Sequence, residues 1–317
     1  SVIIFFSVLY ILIISLLSAI LLFIIFIFII GGFFYHVTFS RRKHDKSFSK
    51  LESEKDKMHP ARLWFRAQKI EEYTLKSYDN KKLKGYMIRN NSNKVAFLIH
   101  GYRGRYYSLA IQAKMFYQAG YNVFCINHRA SDSSSGHWFS MGQKEVKDMI
   151  DWLNLLIKEN NNYEFTILGV SMGGHIAMML AGNLHLPNNV KCIIEDCGYA
   201  SLKDEIVHNL KNYHLPKSIE KFVFWCGKIV GILFHKNNLN SDTKNSLTKS
   251  KVPVLFIHGD KDTYVPYSNL EINFNNMSNE QYKEKYTFAG AKHAESYKLF
   301  EEQYKDLIIK FSEKFNK

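Results

Sequence analysis

The chain opens on an unbroken hydrophobic run. From Val2 to Phe34, 33 residues carry no charge and leave no polar face at helical spacing. A helix that crosses a bilayer needs about 20 residues. The apolar core of a cleaved signal peptide is only about 7–15 residues and ends at a small-residue cleavage site. The run has the length of the first and lacks the features of the second. A buried core helix would be shorter and would show a polar side. The expectation is a transmembrane anchor over residues 1–35.

From about Tyr73 the pattern changes to short apolar runs separated by amphipathic stretches. "YTLKSYD" and "LKGYMIRN", on either side of "NKK", predict an antiparallel hairpin. "KVAFLIHG" (94–101), "YNVFCIN" (121–127), "YEFTILGV" (163–170), "VKCIIED" (190–196), "KVPVLFIHG" (251–259) and "EKYTFAG" (284–290) predict strands. Between them, helical spacing predicts helices over 108–120, 143–159 and 173–184, with a long closing helix over 295–315. Strands alternating with helices define an α/β fold with a mainly parallel sheet covered on both faces. Residues 36–72 form a basic linker or helix between this domain (73–317) and the anchor.

Composition adds little until charge is placed along the chain. The formal net charge is +13, which by itself suggests a nucleic-acid partner. Yet between Arg41 and Lys69 there are ten Lys/Arg against four Asp/Glu, immediately after the apolar run. That position suits a membrane surface and headgroup contact instead. Five Lys/Arg fall within residues 41–50 and none lies in the residues given before the span, so the positive-inside rule puts the bulk of the protein in the cytoplasm. Cys125, Cys192, Cys197 and Cys226 lack C-x-x-C spacing, which predicts buried thiols and neither a disulfide framework nor a zinc site.

Ligands of open α/β sheets bind beyond the C-terminal ends of the strands, so the residues after each strand carry the chemistry. Ser171 stands in "GVSMG" (169–173), a G-x-S-x-G between a predicted strand and a predicted helix. A sharp strand-to-helix turn lifts the hydroxyl clear of the sheet, and the helix N-terminus beneath offers free N–H groups. The N–H of Met172 and that of Tyr102, in "HGYRG" (100–104), are expected to form an oxyanion hole. His293, in "FAGAKHAES" (288–296), follows the last strand and is the expected base; His100 is assigned to shaping its turn, and His175 and His258 are less well placed. The acid lies in "IHGDKDTYVP" (257–266), where the residues alone leave Asp260 and Asp262 both open.

Residues 73 to 315 resemble the α/β-hydrolase superfamily, and within it the bacterial membrane-anchored hydrolases of the dienelactone-hydrolase and prolyl-oligopeptidase-like branch. "HGYRG", "NHRASDSSSG", "GVSMGG", "EDCGYAS", "IHGDKDTYVP" and "GAKHAES" carry the resemblance, in that order. It implies the triad order serine, acid, histidine. The family pattern H-G-x-x-D-x-x-V-P falls with its acid on Asp262, which leaves Asp260 to bond loop N–H groups. "NHRASDSSSG" (127–136) keeps Arg129 and the final glycine but has serines where relatives carry other residues, which bears on loop shape. The resemblance also implies a cap at about 201–250. There "IEKFVFWCGKIVGILFHK" (219–236) would be a helical lid or acyl-binding wall, or else a segment touching the membrane surface.

The implied function is a membrane-anchored serine hydrolase acting on an ester or related acyl bond of a small or lipid-like substrate, with no metal or organic cofactor and no nucleic-acid partner. A serine peptidase and a transacylase would use the same triad, although 317 residues leave no room for the propeller of prolyl oligopeptidases. A tethered binding scaffold would have no need of serine, acid and histidine together.

Overall fold

A computed structural model describes residues 2–41 and 59–316. Most of the basic stretch after the apolar run therefore lies outside the described residues. The chain divides into two compact units, one of Ser1–Ser40 with Ile206–Leu239 and one of Arg41–Glu205 with Asn240–Lys317.

The elements run as follows. The apolar run forms one helix, α1 (Val2–Phe39), long and apolar enough to cross a membrane. After α2 (Pro60–Ala67) come β1 (Ile70–Lys76), β2 (Lys82–Ile88), β3 (Lys94–Ile99), α3 (Ala110–Gln118) and β4 (Asn122–Asn127). Then follow α4 (Gln143–Glu159), β5 (Glu164–Val170), α5 (Met172–Ala181), β6 (Val190–Asp196), α6 (Leu202–Leu210) and α7 (Lys217–His235). The chain closes with α8 (Lys244–Thr248), β7 (Val254–Gly259), α9 (Ser268–Asn276), β8 (Lys283–Phe288), α10 (Ser296–Leu299) and α11 (Glu301–Glu313).

The larger unit is built on one eight-stranded sheet, ordered β1-β2-β4-β3-β5-β6-β7-β8. β2 runs against both neighbours; β3 to β8 are parallel. The runs of β3 to β7 are buried on both faces because helices cover both sides, whereas the edge strand β8 is largely exposed. On one face Leu98, Cys125, Leu168, Ile194 and Leu255 meet Phe116 of α3 and Tyr304, Ile308 and Phe311 of α11. α4 buries Val146, Met149, Ile150, Leu153 and Leu156, a stripe at three- and four-residue spacing. All four cysteines are free and buried, as their spacing suggested.

The elements depart from expectation at two places. The strand expected from residue 251 joins the ladder only at Val254, because Pro253 has no N–H to give, although its carbonyl accepts from Ile193. The single closing helix is broken at Phe300, which leaves helical geometry (φ −126°, ψ 49°) and packs its ring against Phe288, the last residue of β8, at 5.4 Å. α2 lies in the stretch read as a basic linker or helix and α6 to α8 in the stretch where a helical cap is expected, whereas α9 was not anticipated.

The serine-rich segment after β4 is tied down by its own hydroxyls. Ser131 donates to the Gly104 carbonyl, Ser134 donates to Asn127 and accepts from the Lys84 N–H, and Ser135 accepts from Lys82. Arg129 anchors it from within. Its guanidinium is 3% exposed and binds Asp148 through two nitrogens, at 2.7 and 2.8 Å, and Asp79 at 2.9 Å. Burial pulls against its charge, but these carboxylates hold its pKa above the ordinary arginine value. Removing one partner of such a pair leaves the other charge buried and alone. Arg129→Met is expected to lower unfolding free energy by about 3–5 kcal/mol in chemical denaturation, with Arg129→Met/Asp148→Leu recovering part of the loss.

Candidate active site

β5 ends at Val170 and α5 begins at Met172, so Ser171 carries the whole turn between strand and helix. Its backbone has φ 59° and ψ −120°, a conformation that costs a non-glycine residue on the order of 1–3 kcal/mol. The turn is held by Ser171 N–H donating to the Asp196 carbonyl at 2.8 Å and by His175 N–H donating back to the Ser171 carbonyl at 3.0 Å. The two flanking glycines are required by contact. A Cβ at Gly169 would strike the Gly173 carbonyl, and one at Gly173 would strike the Ile99 carbonyl at the end of β3. Strand, elbow and helix thus approach too closely for any side chain at either position.

The same close approach brings the loop after β3 against the serine. A Cβ at Gly101 would lie 3.3 Å from Ser171 Cβ and 3.8 Å from its Oγ. The backbone of "HGYRG" therefore passes beside the hydroxyl, with Tyr102 next in the chain, while Met172 occupies the first position of α5. His100 holds this loop: its Nδ1–H donates to the Gly101 carbonyl at 2.8 Å and its Nε2 accepts from the His128 N–H at 3.3 Å. Burial keeps both rings neutral, His100 well below the ordinary histidine value and His128 at about 4. The turn-shaping role expected of His100 is the one these bonds describe.

His293 lies on the loop after β8, where Gly290 (φ 84°) and Ala294 (φ 54°) turn the chain back across the sheet edge. Its Nε2 is 2.9 Å from Ser171 Oγ and its Nδ1 is 2.7 Å from Asp262 Oδ2. An ionised carboxylate only accepts, so Nδ1 carries the proton and Nε2 accepts from the serine hydroxyl. Three residues from three loops are joined into one hydrogen-bonded line. The ring of Tyr264 covers His293 at 4.9 Å.

Asp262 is fully enclosed, and both its oxygens are committed. Oδ1 accepts from the N–H groups of Tyr264 and Val265 at 2.9 and 3.0 Å. Oδ2 accepts from His293 and also from His258 Nε2 at 3.1 Å, whose proton is shared with the Val265 carbonyl at 3.0 Å. Burial alone would raise the Asp262 pKa; the bonds from His258 and His293 outweigh it and bring the carboxyl down to about 2. Asp260 does something else. Its Oδ1 accepts from the Gly290 N–H at 2.7 Å, so it ties the acid loop to the loop that carries His293. It bonds a loop N–H, as expected, but across to another loop; the turn-capping bonds within "DKDTYV" belong to Asp262.

His258 is the neighbour that reading the sequence set aside. It ends β7 four residues before Asp262, and that spacing on a strand-to-loop exit is the signal that could have found it. Cys197 lies behind the pair, its sulfur within 4.8 Å of ligand atoms on Asp262 and His293. Among the described residues this is the group nearest to a metal-binding set. Burial pushes the Cys197 thiol well up, which opposes the thiolate form that metals take, and the carboxylate and imidazole already bond each other. Asp196, also buried, is pushed up to about 6 and accepts from Tyr304 Oη at 2.9 Å.

Comparison with known proteins agrees with this architecture. Residues 97–227 match the family model for the alpha/beta hydrolase fold. The esterase Pf2001 of Pyrococcus furiosus is similar in structure, with a TM-score of 0.66 and 21% identity over 79% of this chain and 93% of its own. An esterase from Exiguobacterium antarcticum is similar at a TM-score of 0.57 and 18% identity, over 76% of this chain and 99% of its own. The Bacillus subtilis protein YqkD is 25% identical over 296 residues, which are 90% of this chain and 93% of that protein. The chain has the α/β-hydrolase fold.

The low pKa of Asp262 has a measurable consequence. Its folded value lies below the ordinary 3.8, so its ionisation stabilises the fold fully above that value and ceases to do so as pH falls through about 2. The contribution at neutral pH is on the order of 2 kcal/mol. A carboxyl carbon titration by NMR is expected to give Asp262 a midpoint near 2, moved upward in His258→Phe. A midpoint at the ordinary value would contradict the bonding described.

Proposed function

We propose that the protein is a membrane-anchored serine hydrolase that cleaves an ester or related acyl bond through Ser171, His293 and Asp262. The observation that carries this reading is the hydrogen-bonded line from Ser171 Oγ to His293 Nε2 at 2.9 Å and from His293 Nδ1 to Asp262 Oδ2 at 2.7 Å. Ser171 Oγ attacks the carbonyl carbon while its proton passes to His293 Nε2. The carbonyl oxygen takes the negative charge and accepts from the N–H groups of Met172 and Tyr102. His293 then gives its proton to the departing alkoxide, leaving an acyl group on Ser171. Water, deprotonated by the same imidazole, attacks the acyl carbon, and the proton returns to Ser171 as the acid leaves. Asp262 holds Nδ1 as the donor and offsets the imidazolium charge; it does not itself take the proton.

The esterase neighbours support ester bonds as the substrate class. The order of the six motifs supports the dienelactone-hydrolase and prolyl-oligopeptidase-like branch. The length and apolarity of α1 support anchoring, and the Lys/Arg that follow it support a cytoplasmic hydrolase domain.

Hydrolysis of p-nitrophenyl esters tests the reaction. The parent is expected to turn over short-chain esters, and Ser171→Ala to lose activity to near the uncatalysed rate. Asp262→Asn is expected to lose about 10⁴ in kcat, because the imidazole then adopts the wrong tautomer. Asp260→Asn, which loosens a loop tie only, should lose far less. A reversed order for the two aspartates would exchange their roles. A rate that rises with acyl chain length would support a lipid-like substrate, and a flat profile would count against one.

A further inference from the structure

α1 is longer than a bilayer requires. At 38 residues it extends about 57 Å, against a hydrocarbon core of about 30 Å. Its burial is uneven. Residues 2–26 are exposed all round, whereas Ile27, Gly31, Phe34, Tyr35 and Phe39 are buried along one face. What covers that face is α7, in the same compact unit.

The two helices cross one another, Phe28 of α1 also reaching Phe234 of α7 at 5.8 Å. Phe23 and Phe26 meet Phe222 at 6.5 and 6.3 Å; further along, Tyr35 stacks on His235 at 4.1 Å. Between these contacts the backbones close together on glycines. A Cβ at Gly31 would enter the Cys226 carbonyl, and one at Gly227 would enter the Phe34 ring. Gly227 and Gly231 stand four apart, the small-residue spacing that lets apolar helices pack closely. α1 therefore fixes the level of the part of α7 it touches. The Phe222 contact fixes the N-terminal part of α7 level with Phe23 and Phe26, where the wholly exposed stretch of α1 ends.

The exposed residues at that level are of two kinds. Tyr213, Leu215, Ile219 and Trp225 present apolar surface at 70, 37, 43 and 48% exposure. Lys211, Lys217 and Lys221 are exposed among them. Aromatic and aliphatic residues interleaved with lysines suit the headgroup layer of a bilayer, where rings sit at the polar boundary and lysines reach phosphates. α7 itself, with charges along its length, is not among the helices fit to cross a membrane.

We propose that the turn before α7 and its N-terminal half, residues 211–225, lie in the interfacial layer of the bilayer that α1 crosses, as a second lipid contact of this protein. The inference rests on the anchoring read for α1, and the contact of Phe222 with Phe23 and Phe26 turns it into a statement of depth. Acyl chains then meet Leu215, Ile219 and Trp225, and headgroup phosphates meet the three lysines.

The full chain in phosphatidylcholine–phosphatidylserine vesicles tests this, with an environment-sensitive fluorophore on a single introduced cysteine. The native cysteines are buried, so an exposed introduced cysteine labels selectively. Ile219→Cys reports on α7, and Ser15→Cys, within the exposed stretch of α1, reports on the anchor. The expected result is that lipids carrying a shallow nitroxide quench most of the Ile219→Cys emission while aqueous iodide quenches little. Lipids carrying a deep nitroxide should quench the Ser15→Cys label. If the Ser15→Cys label is quenched by lipid but the Ile219→Cys label by iodide, the anchor stands and the interfacial contact is wrong. If neither quencher reaches the Ile219→Cys label, protein covers that face and the proposal is overturned. If iodide quenches both, the anchoring itself fails, and the inference with it.

Discussion

Asp262 carries a charge in a place that water does not reach. Burial opposes that charge, and the surroundings answer it with four donors: two backbone N–H groups from its own turn and the rings of His258 and His293. Everything at the candidate site follows from the carboxylate staying ionised. Only an acceptor at Oδ2 fixes the proton on His293 Nδ1, and only then is Nε2 free to accept from Ser171. The turn "DKDTYV" therefore sets the tautomer of a ring it bonds directly, 31 residues on in sequence. The tie from Asp260 to Gly290 keeps the two loops in register while it does so.

The serine is held by a different constraint. Ser171 occupies a backbone conformation that side chains rarely adopt, and it stays there because β5, β3 and α5 leave no room for the chain to relax. Gly169 and Gly173 are spaces that the neighbouring carbonyls fill. Such strain is tolerated where the surrounding structure over-determines it. Here the bond from Ser171 N–H to Asp196 and the packed sheet beneath supply that determination. The hydroxyl is thereby presented at the strand ends, beside Gly101 and in line with His293.

Much of this was legible in the sequence because it depends on local order. Buried parallel strands read as short apolar runs, and G-x-S-x-G between a strand and a helix identified the elbow. The choice of Asp262 over Asp260 needed the family pattern; nothing within the ten residues distinguished them. What the sequence hid was contact at a distance. His258 looked like a strand end until its ring was seen to share Asp262 with His293. The break at Phe300 reflects a ring seated on Phe288, which no helical periodicity records. The covering of α1 by α7 joins residues nearly 200 apart, and in a row of apolar letters Gly31 and Gly227 mark no pairing.

The central claim is that Ser171 is a nucleophile activated through His293 by a charged Asp262. Reaction of the full chain with a fluorophosphonate, read by intact mass and peptide mapping, tests it most directly. The account predicts one adduct, on Ser171, absent in Ser171→Ala and formed far more slowly in Asp262→Asn. An adduct on another residue, or labelling undiminished in Ser171→Ala, would contradict it.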